Sequence, residues 1–280
     1  LSPLRFNSAA LVENASKTGA AVGAFNVIQL EHAESYALAA LETGLPVIAQ
    51  ISENAIAYHG SLEPIVKATL AISENSKIPM SVHLDHVENT DLIRAALDLG
   101  CDSVMFDGSK LEYKENVNTS IKMRELAHSY GASIEVELGE IGGKDGVHAP
   151  GIRTKPEDAR RFVAETGVDL LAVAVGSSHA MATRDAKLDF ELITELKEAA
   201  GVPLVLHGSS GVSDQDIVAA VKAGISKVNI ATHLNIVFTE SIRKYLAYDE
   251  KVNDPRKYMK EARSEVSLEV SRLLRLLALK

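Results

Sequence analysis

Short apolar runs alternate along the chain with longer stretches whose apolar positions recur every three or four residues. These are the periods of a buried strand and of an amphipathic helix. Ala20–Val27 predicts a first strand and Leu30–Leu41 its helix; Pro46–Ser52 and Leu62–Glu74 form the next pair. Pro79–His86 precedes a helix that starts at Asn89-Thr90-Asp91, runs to Asp98 and is closed by Gly100. Asp102–Asp107 pairs with Asn116–Tyr130. Ser133–Leu138 is followed by a glycine-rich loop from Gly139 to Arg153 and a helix at Pro156–Thr166, with proline in its first turn. Leu170–Gly176 pairs with Phe190–Ala200, Pro203–His207 with Asp214–Ala223, and Lys227–Ala231 with Leu234–Tyr245. Additional helices are predicted at Leu4–Lys17 and Pro255–Leu277, the latter leucine-rich and suited to packing on the barrel or on another subunit. Eight consecutive βα units with short apolar strands predict an α/β fold: a (β/α)8 TIM barrel with extra N- and C-terminal helices, one domain over residues 1–280. A doubly wound open sheet is the alternative.

Barrel sites form at the C-terminal ends of strands. Those positions here hold Asn26, Ser52, Asp85, His86, Asp107, Glu137, His179, His207, Gly208, Ser210, Asn229 and Thr232. A single histidine at a strand end is ordinarily a hydrogen-bonded loop residue. Three of them, His86, His179 and His207, supply the three imidazole ligands of an open catalytic zinc site. Asp85 stands beside His86 and can carry a proton, although strict alternation would send the two side chains to opposite faces unless the strand bulges. Its bland reading is a helix cap or a group that orients a ligand. Asp107 and Glu137 read as a second metal position or as buried, hydrogen-bonded carboxylates. His83 shares Asp85's face and reads as packed or supporting, while His32, His59, His128, His148 and His233 read as surface residues.

Two loops add to this. Gly139–Gly146 is glycine-dense and carries Glu140 and Asp145, so it reads as a mobile flap that delivers an acid, or as an inert surface loop. The turns around Gly208-Ser209-Ser210 and Asn229-Ile230-Ala231-Thr232 follow the seventh and eighth strands, where barrels hold phosphate on backbone amides and a helix N-terminus. Composition makes that local device necessary. The formal charge is −9, which argues against nucleic acid or an anionic membrane as partner. The one cysteine, Cys101, rules out an internal disulfide and points to a reducing, cytoplasmic setting. No apolar run approaches the roughly 18 residues of a membrane span. No signal-peptide pattern opens the sequence, and Leu1 in place of Met points to a trimmed or renumbered start.

The chain resembles the class II, zinc-dependent ketose-bisphosphate aldolases, the fructose- and tagatose-bisphosphate group. The resemblance runs over nearly the whole length: Ala24-Phe25-Asn26, His83-Leu84-Asp85-His86, Glu135-Val136-Glu137-Leu138-Gly139, Gly142-Gly143, Val175-Gly176-Ser177-Ser178-His179, Leu206-His207-Gly208-Ser209-Ser210-Gly211, Lys227-Val228-Asn229-Ile230 and Asn253-Asp254-Pro255-Arg256. The His-Leu-Asp-His run and compact length are closer to the tagatose-type branch. The resemblance implies that His86, His179 and His207 bind zinc, that Asp85 transfers a proton, and that Asp107 and Glu137 line an alternate metal position. It implies a phosphate cradle at Gly208, Ser209, Ser210, Asn229, Ile230, Ala231 and Thr232, and an arginine, Arg256, that reaches the other phosphate from a neighbouring subunit. It further implies a small phosphorylated sugar as substrate, a monovalent cation (Na+ or K+), and a homodimer or homotetramer. Three departures stand out. Lys144-Asp145 replaces a common flap Glu, making Asp145 the expected flap acid with Glu140 in reserve; Ala180 replaces a glycine after the zinc histidine; and Ala231 replaces an Asp of many fructose-type members.

The expected reaction is reversible aldol cleavage of a ketose 1,6-bisphosphate to dihydroxyacetone phosphate and glyceraldehyde 3-phosphate. Other phosphorylated sugars or sugar acids, a zinc hydrolase on the same barrel, and a noncatalytic sugar-phosphate binder are the rivals. Side chains near Ser52, Ala180 and the flap would select the sugar. A Schiff-base aldolase would need a lysine projecting into the barrel. The predicted strand cores hold none, because Lys227 falls at the start of the eighth strand, at the wrong end.

Overall fold

A computed structural model describes residues 6–138, 153–177 and 186–280. Eight parallel strands close into a barrel in sequence order: β1 (Val22–Asn26), β2 (Val47–Ser52), β3 (Met80–Val87), β4 (Ser103–Phe106), β5 (Ser133–Leu138), β6 (Leu170–Val173), β7 (Leu204–Leu206) and β8 (Ile225–Ile230). Closure is shown by β8 pairing with β1, Lys227 opposite Val22 and Asn229 opposite Ala24. The open-sheet alternative is thereby excluded.

Around the strands lie α1 (Ser8–Lys17), α2 (Leu30–Thr43), α3 (Glu53–His59), α4 (Glu63–Asn75), α5 (Thr90–Leu99), α6 (Tyr113–Ser129), α7 (Pro156–Thr166), α8 (Phe190–Ala200), α9 (Asp214–Ala223), α10 (Thr232–Tyr248) and α11 (Pro255–Leu277). Their ends carry the chemistry expected of caps. Asn89, Asp189, Ser213 and Asp254 each accept a backbone N–H of the first turn of the helix they precede, and Gly100 closes α5 at φ 104°, which a side chain would resist. Helix α3 was not expected from the sequence; it is short, begins at the Ser52 cap and ends at Gly60.

Alternation along the strands creates two cores. Outward residues such as Ala49, Val82, Leu84 and Val136 pack under the helices. Inward residues Val22, Ala24, Ile48, Met105, Leu170, Ala172 and Val205 pack against Leu11 and Val12 of α1, which plugs the N-terminal mouth. Toward the other mouth the inward residues become polar: Asn26, Gln50, Asp85, Glu135, Glu137, His207 and Asn229. A site sits there because that end of the barrel is not filled with apolar side chains.

Candidate active site

A cavity of about 630 Å³ opens at this mouth, lined by Asn26, Gln50, Ser52, Asp85, His86 and Asp107, the Gly208-Ser209-Ser210 turn, and Asn229, Ala231 and Thr232. Its far rim holds Glu53, Glu88 and Lys110, the last two ion-paired at 3.1 Å.

Strict alternation would separate Asp85 from His86. The register of β3 against β4 shifts between Leu84 and Val87, and His86 takes φ +50°, a left-handed conformation rare for a residue with a Cβ. The bulge lets consecutive side chains face the same cavity. Strain of this kind, about 1–3 kcal/mol, persists where surrounding structure imposes it, and it concentrates at functional sites.

His86 and His207 meet edge to edge, His86 Nε2 lying 2.7 Å from His207 Nδ1. His86 Nδ1 is 3.2 Å from Asp107 Oδ2 and 3.9 Å from Glu137 Oε2. Donor atoms of Asp85, His86 and His207 lie within 4.8 Å of one another, and so do those of His86, Asp107 and Glu137. Two imidazoles with three carboxylates, in overlapping groups of three, are a donor set that a divalent transition metal fits. Asp85 is buried, with Asn229 Nδ2 donating to its Oδ1 at 3.2 Å and Gln50 Nε2 to its Oδ2 at 3.3 Å. Gln50 also donates to Asn26 Oδ1 at 2.6 Å. Gln50 is therefore a site residue that the sequence reading missed. Its inward parity with Ser52, two residues on, was the available signal.

Beneath this cluster the structure corrects one expectation. Strand β8 starts at Ile225, two residues earlier than predicted, so Lys227 is inside the barrel and fully buried. Its Nζ donates to Glu135 Oε2 at 2.6 Å, and Glu135 Oε1 lies 2.7 Å from His207 Nε2. Lys227 lies beneath the cavity, with its Nζ held in the ion pair to Glu135. His83 belongs to the same layer: Nδ1 is 2.6 Å from Ser103 Oγ, and burial, reinforced by the Lys227 charge, holds its pKa well below the usual histidine value. His32 is a second correction. It is buried rather than on the surface, stacked on Phe238 at 4.8 Å.

At the other side of the cavity Gly208 adopts φ 64° and opens a single 3₁₀ turn, Ser209–Gly211. Ser209 Oγ donates to Asn229 O at 2.5 Å, and Ser210 Oγ accepts the His233 N–H at 3.3 Å. The N-terminus of α10, at Thr232, faces the same space. Serine hydroxyls and the start of a helix make one wall suited to an anion, although the His233, Leu234 and Asn235 amides are bonded to Ser210 Oγ and Ala231 O. Two predicted residues do not line it. Ile230 packs in the outer core, with its backbone opposite Phe25 in the β8–β1 ladder, and the Arg256 side chain is 89% exposed and paired with Asp254. His179, Ala180, Asp145 and Glu140 lie outside the described residues.

The sequence profile of class-II fructose-bisphosphate aldolases matches residues 6–280. The chain belongs to that family. Among relatives, a fructose-bisphosphate aldolase from Geobacillus stearothermophilus is 38% identical over 254 residues, covering 89% of this chain and 88% of the relative. The YdjI aldolase crystal structure from Escherichia coli K12 superposes with a TM-score of 0.86 at 28% identity, covering 98% of this chain and 97% of the other. A fructose-bisphosphate aldolase structure from Campylobacter jejuni, 20% identical with a TM-score of 0.77 over 96% of this chain and 93% of the other, shares the fold. This class II aldolase is thus a lyase of a generally metal-dependent family that acts on phosphorylated sugars. No helix among the described residues is long and apolar enough to cross a membrane.

Proposed function

We propose that this aldolase catalyses the reversible, zinc-dependent cleavage of a ketose 1,6-bisphosphate to dihydroxyacetone phosphate and glyceraldehyde 3-phosphate. The observation that carries the reading is the bulge at His86, which brings Asp85 and His86 to one cavity, with the buried His207 ring in contact with His86 beneath it and the Gly208–Ser210 turn as a wall. His86 and His207, with His179, are the residues that would hold zinc, and Asp107 and Glu137 would offer it an alternate position with His86. Bound there, zinc supplies Lewis-acid polarisation of the substrate ketone.

The remaining work belongs to side chains. The Gly208–Ser210 turn and the start of α10 hold the phosphate of the dihydroxyacetone half, through Gly208, Ser209 and Ser210 and through the Asn229–Thr232 segment. Asn26 and Ser52 contact the sugar from the opposite wall, and Arg256 serves the distal phosphate of a neighbouring subunit. In cleavage, Asp85 takes the proton of the C4 hydroxyl, and the flap acid, Asp145 with Glu140 in reserve, protonates C3. Condensation runs both transfers backward. A monovalent cation, Na+ or K+, assists. The enzyme works in the cytoplasm as a homodimer or homotetramer; exposed Tyr248 and Leu268 on α10 and α11 are apolar surface suited to such contact. Fructose bisphosphate is the first substrate to test, since the Geobacillus relative is named for it. Tagatose bisphosphate differs only in C4 stereochemistry.

The deciding experiment condenses dihydroxyacetone phosphate with several aldehydes and assigns product stereochemistry. Activity should vanish on chelation and return with zinc. Full activity after complete metal removal, or hydrolysis of the phosphate ester without carbon–carbon bond formation, overturns the proposal. Asp85→Ala should cost roughly 10²–10⁴-fold in turnover while zinc and phosphate binding persist.

A further inference from the structure

Glu135 and Lys227 lie on β5 and β8 and His207 directly follows β7, and all three side chains are fully buried below the cavity. Glu135 lies two residues before Glu137 and Lys227 two before Asn229, so both belong to the inward layer just beneath the site. The pair reaches across the barrel interior, since β6 and β7 stand between their strands.

We propose that Glu135, fixed by Lys227, is a positioning residue that sets the tautomer and ring orientation of His207 for metal binding. The inference rests on the zinc reading given above. An ionised carboxylate only accepts hydrogen bonds, so Glu135 Oε1, 2.7 Å from His207 Nε2, places the ring proton on Nε2. Nδ1 is then the nitrogen with a lone pair, and it is the one that faces His86 Nε2 at 2.7 Å and Glu137 Oε2 at 3.7 Å. Asn229 Nδ2, 3.2 Å from His207 Nε2, cannot donate to a nitrogen that already carries hydrogen, and it donates to Asp85 instead. The other Glu135 oxygen accepts from Lys227 Nζ at 2.6 Å, so each carboxylate oxygen has its own partner and the group cannot rotate without losing one. Burying an ion pair usually adds little stability compared with apolar side chains of the same volume. A buried ionic layer of this kind is better explained by what it holds in place. A carboxylate behind a ligating imidazole is the recurrent device for this, and its loss typically weakens metal binding 10–100-fold.

The test measures zinc affinity by chelator competition, the visible spectrum of the cobalt-substituted protein, and the melting temperature of metal-free protein. The variants are Glu135→Gln and the double variant Glu135→Leu with Lys227→Met. The double variant removes both charges together, so neither is left buried alone. Its metal-free melting temperature should match or exceed that of the wild type, while zinc affinity falls about 10–100-fold and the cobalt bands shift. Glu135→Gln should fall between the two in zinc affinity, and its metal-free melting temperature should drop below both because Lys227 keeps a buried charge without its ion-pair partner. Wild-type zinc affinity and cobalt bands retained by the double variant would overturn the proposal and leave an ion pair of purely structural worth. Should the double variant not fold, the same two readouts on Glu135→Gln decide: weaker zinc binding with shifted bands supports the role, and unchanged values refute it. A wild-type protein that binds no zinc fails the metal reading itself, a result separable from either variant outcome.

Discussion

His86 shows how much one backbone torsion decides. In the extended conformation of its neighbours its ring would leave the cavity that Asp85 faces; at φ +50° the two adjoin. From sequence, the neighbouring acid and histidine were visible as candidates, but their meeting depended on a bulge that no local residue preference announces. Lys227 was misread from the sequence as lying at the wrong end of its strand, and Glu135 was given no role. Their spacing of two from Asn229 and Glu137 puts both on the inward face, but charged residues are seldom buried unless paired, and the pairing is across the barrel. Gln50 is the residue whose role is most directly testable here. Removing its amide deprives the Asp85 carboxylate of one donor and Asn26 of another. Gln50→Leu should therefore lower turnover by roughly 10–100-fold, the worth of a hydrogen bond to a charged group, with zinc content unchanged. Steady-state kinetics together with metal analysis checks this; a variant that loses zinc instead would place Gln50 with the metal rather than the proton.

At the level of elements, periodicity and punctuation were sufficient for most helices: α7, α8, α9 and α11 begin and end where proline, cap residues and apolar spacing put them. Strands were bounded less well. Strands β6 and β7 are shorter than their apolar runs, because Val175 and His207 continue the apolar or inward pattern after ladder pairing has stopped. Helix α3 escaped notice because seven residues offer too few repeats of a helical period. Helix α1 is peripheral in sequence but structural in effect, since Val12 is fully buried in the barrel floor and Ser8 Oγ lies 2.6 Å from both Ser81 and Ser103 Oγ. Its N-cap Asn7 accepts from Ala9 N at 2.9 Å and from Ala10 N at 3.4 Å. Asn7→Ala should cost about 1 kcal/mol, read as a lower urea midpoint at unchanged slope. Because the plug lies at the mouth opposite the cavity, kcat at temperatures well below the melt should not move.

For the whole molecule, the buried histidine of α2 that stacks on α10 predicts a pH limit. Burial lowers the His32 pKa from 6.5 to about 4; the Gln29 backbone opposes this weakly without bonding either ring nitrogen. The unfolded chain binds that proton from pH 6.5 downward and the folded one only near 4. Stability from this group is complete above 6.5, is lost as pH falls through that window, and amounts to about 3 kcal/mol in total. Urea melts between pH 7 and 4.5 should show the decline, and His32→Leu should flatten it; an unchanged slope in that variant assigns the acid sensitivity elsewhere. The order of the elements and the strand ends that carry the chemistry were determined by the sequence, because each follows from a period or a residue type repeated along consecutive segments, whereas closure of the barrel is seen in the pairing of β8 with β1. Which side chains meet across the interior was decided only by tertiary structure. The imidazole pair, the amide contacts to Asp85 and the ion pair behind His207 join residues on different strands, up to 144 positions apart. Their encounter depends on where each strand begins, where one bulges and how the ring of eight staggers, and those are properties of long-range packing rather than of any local pattern.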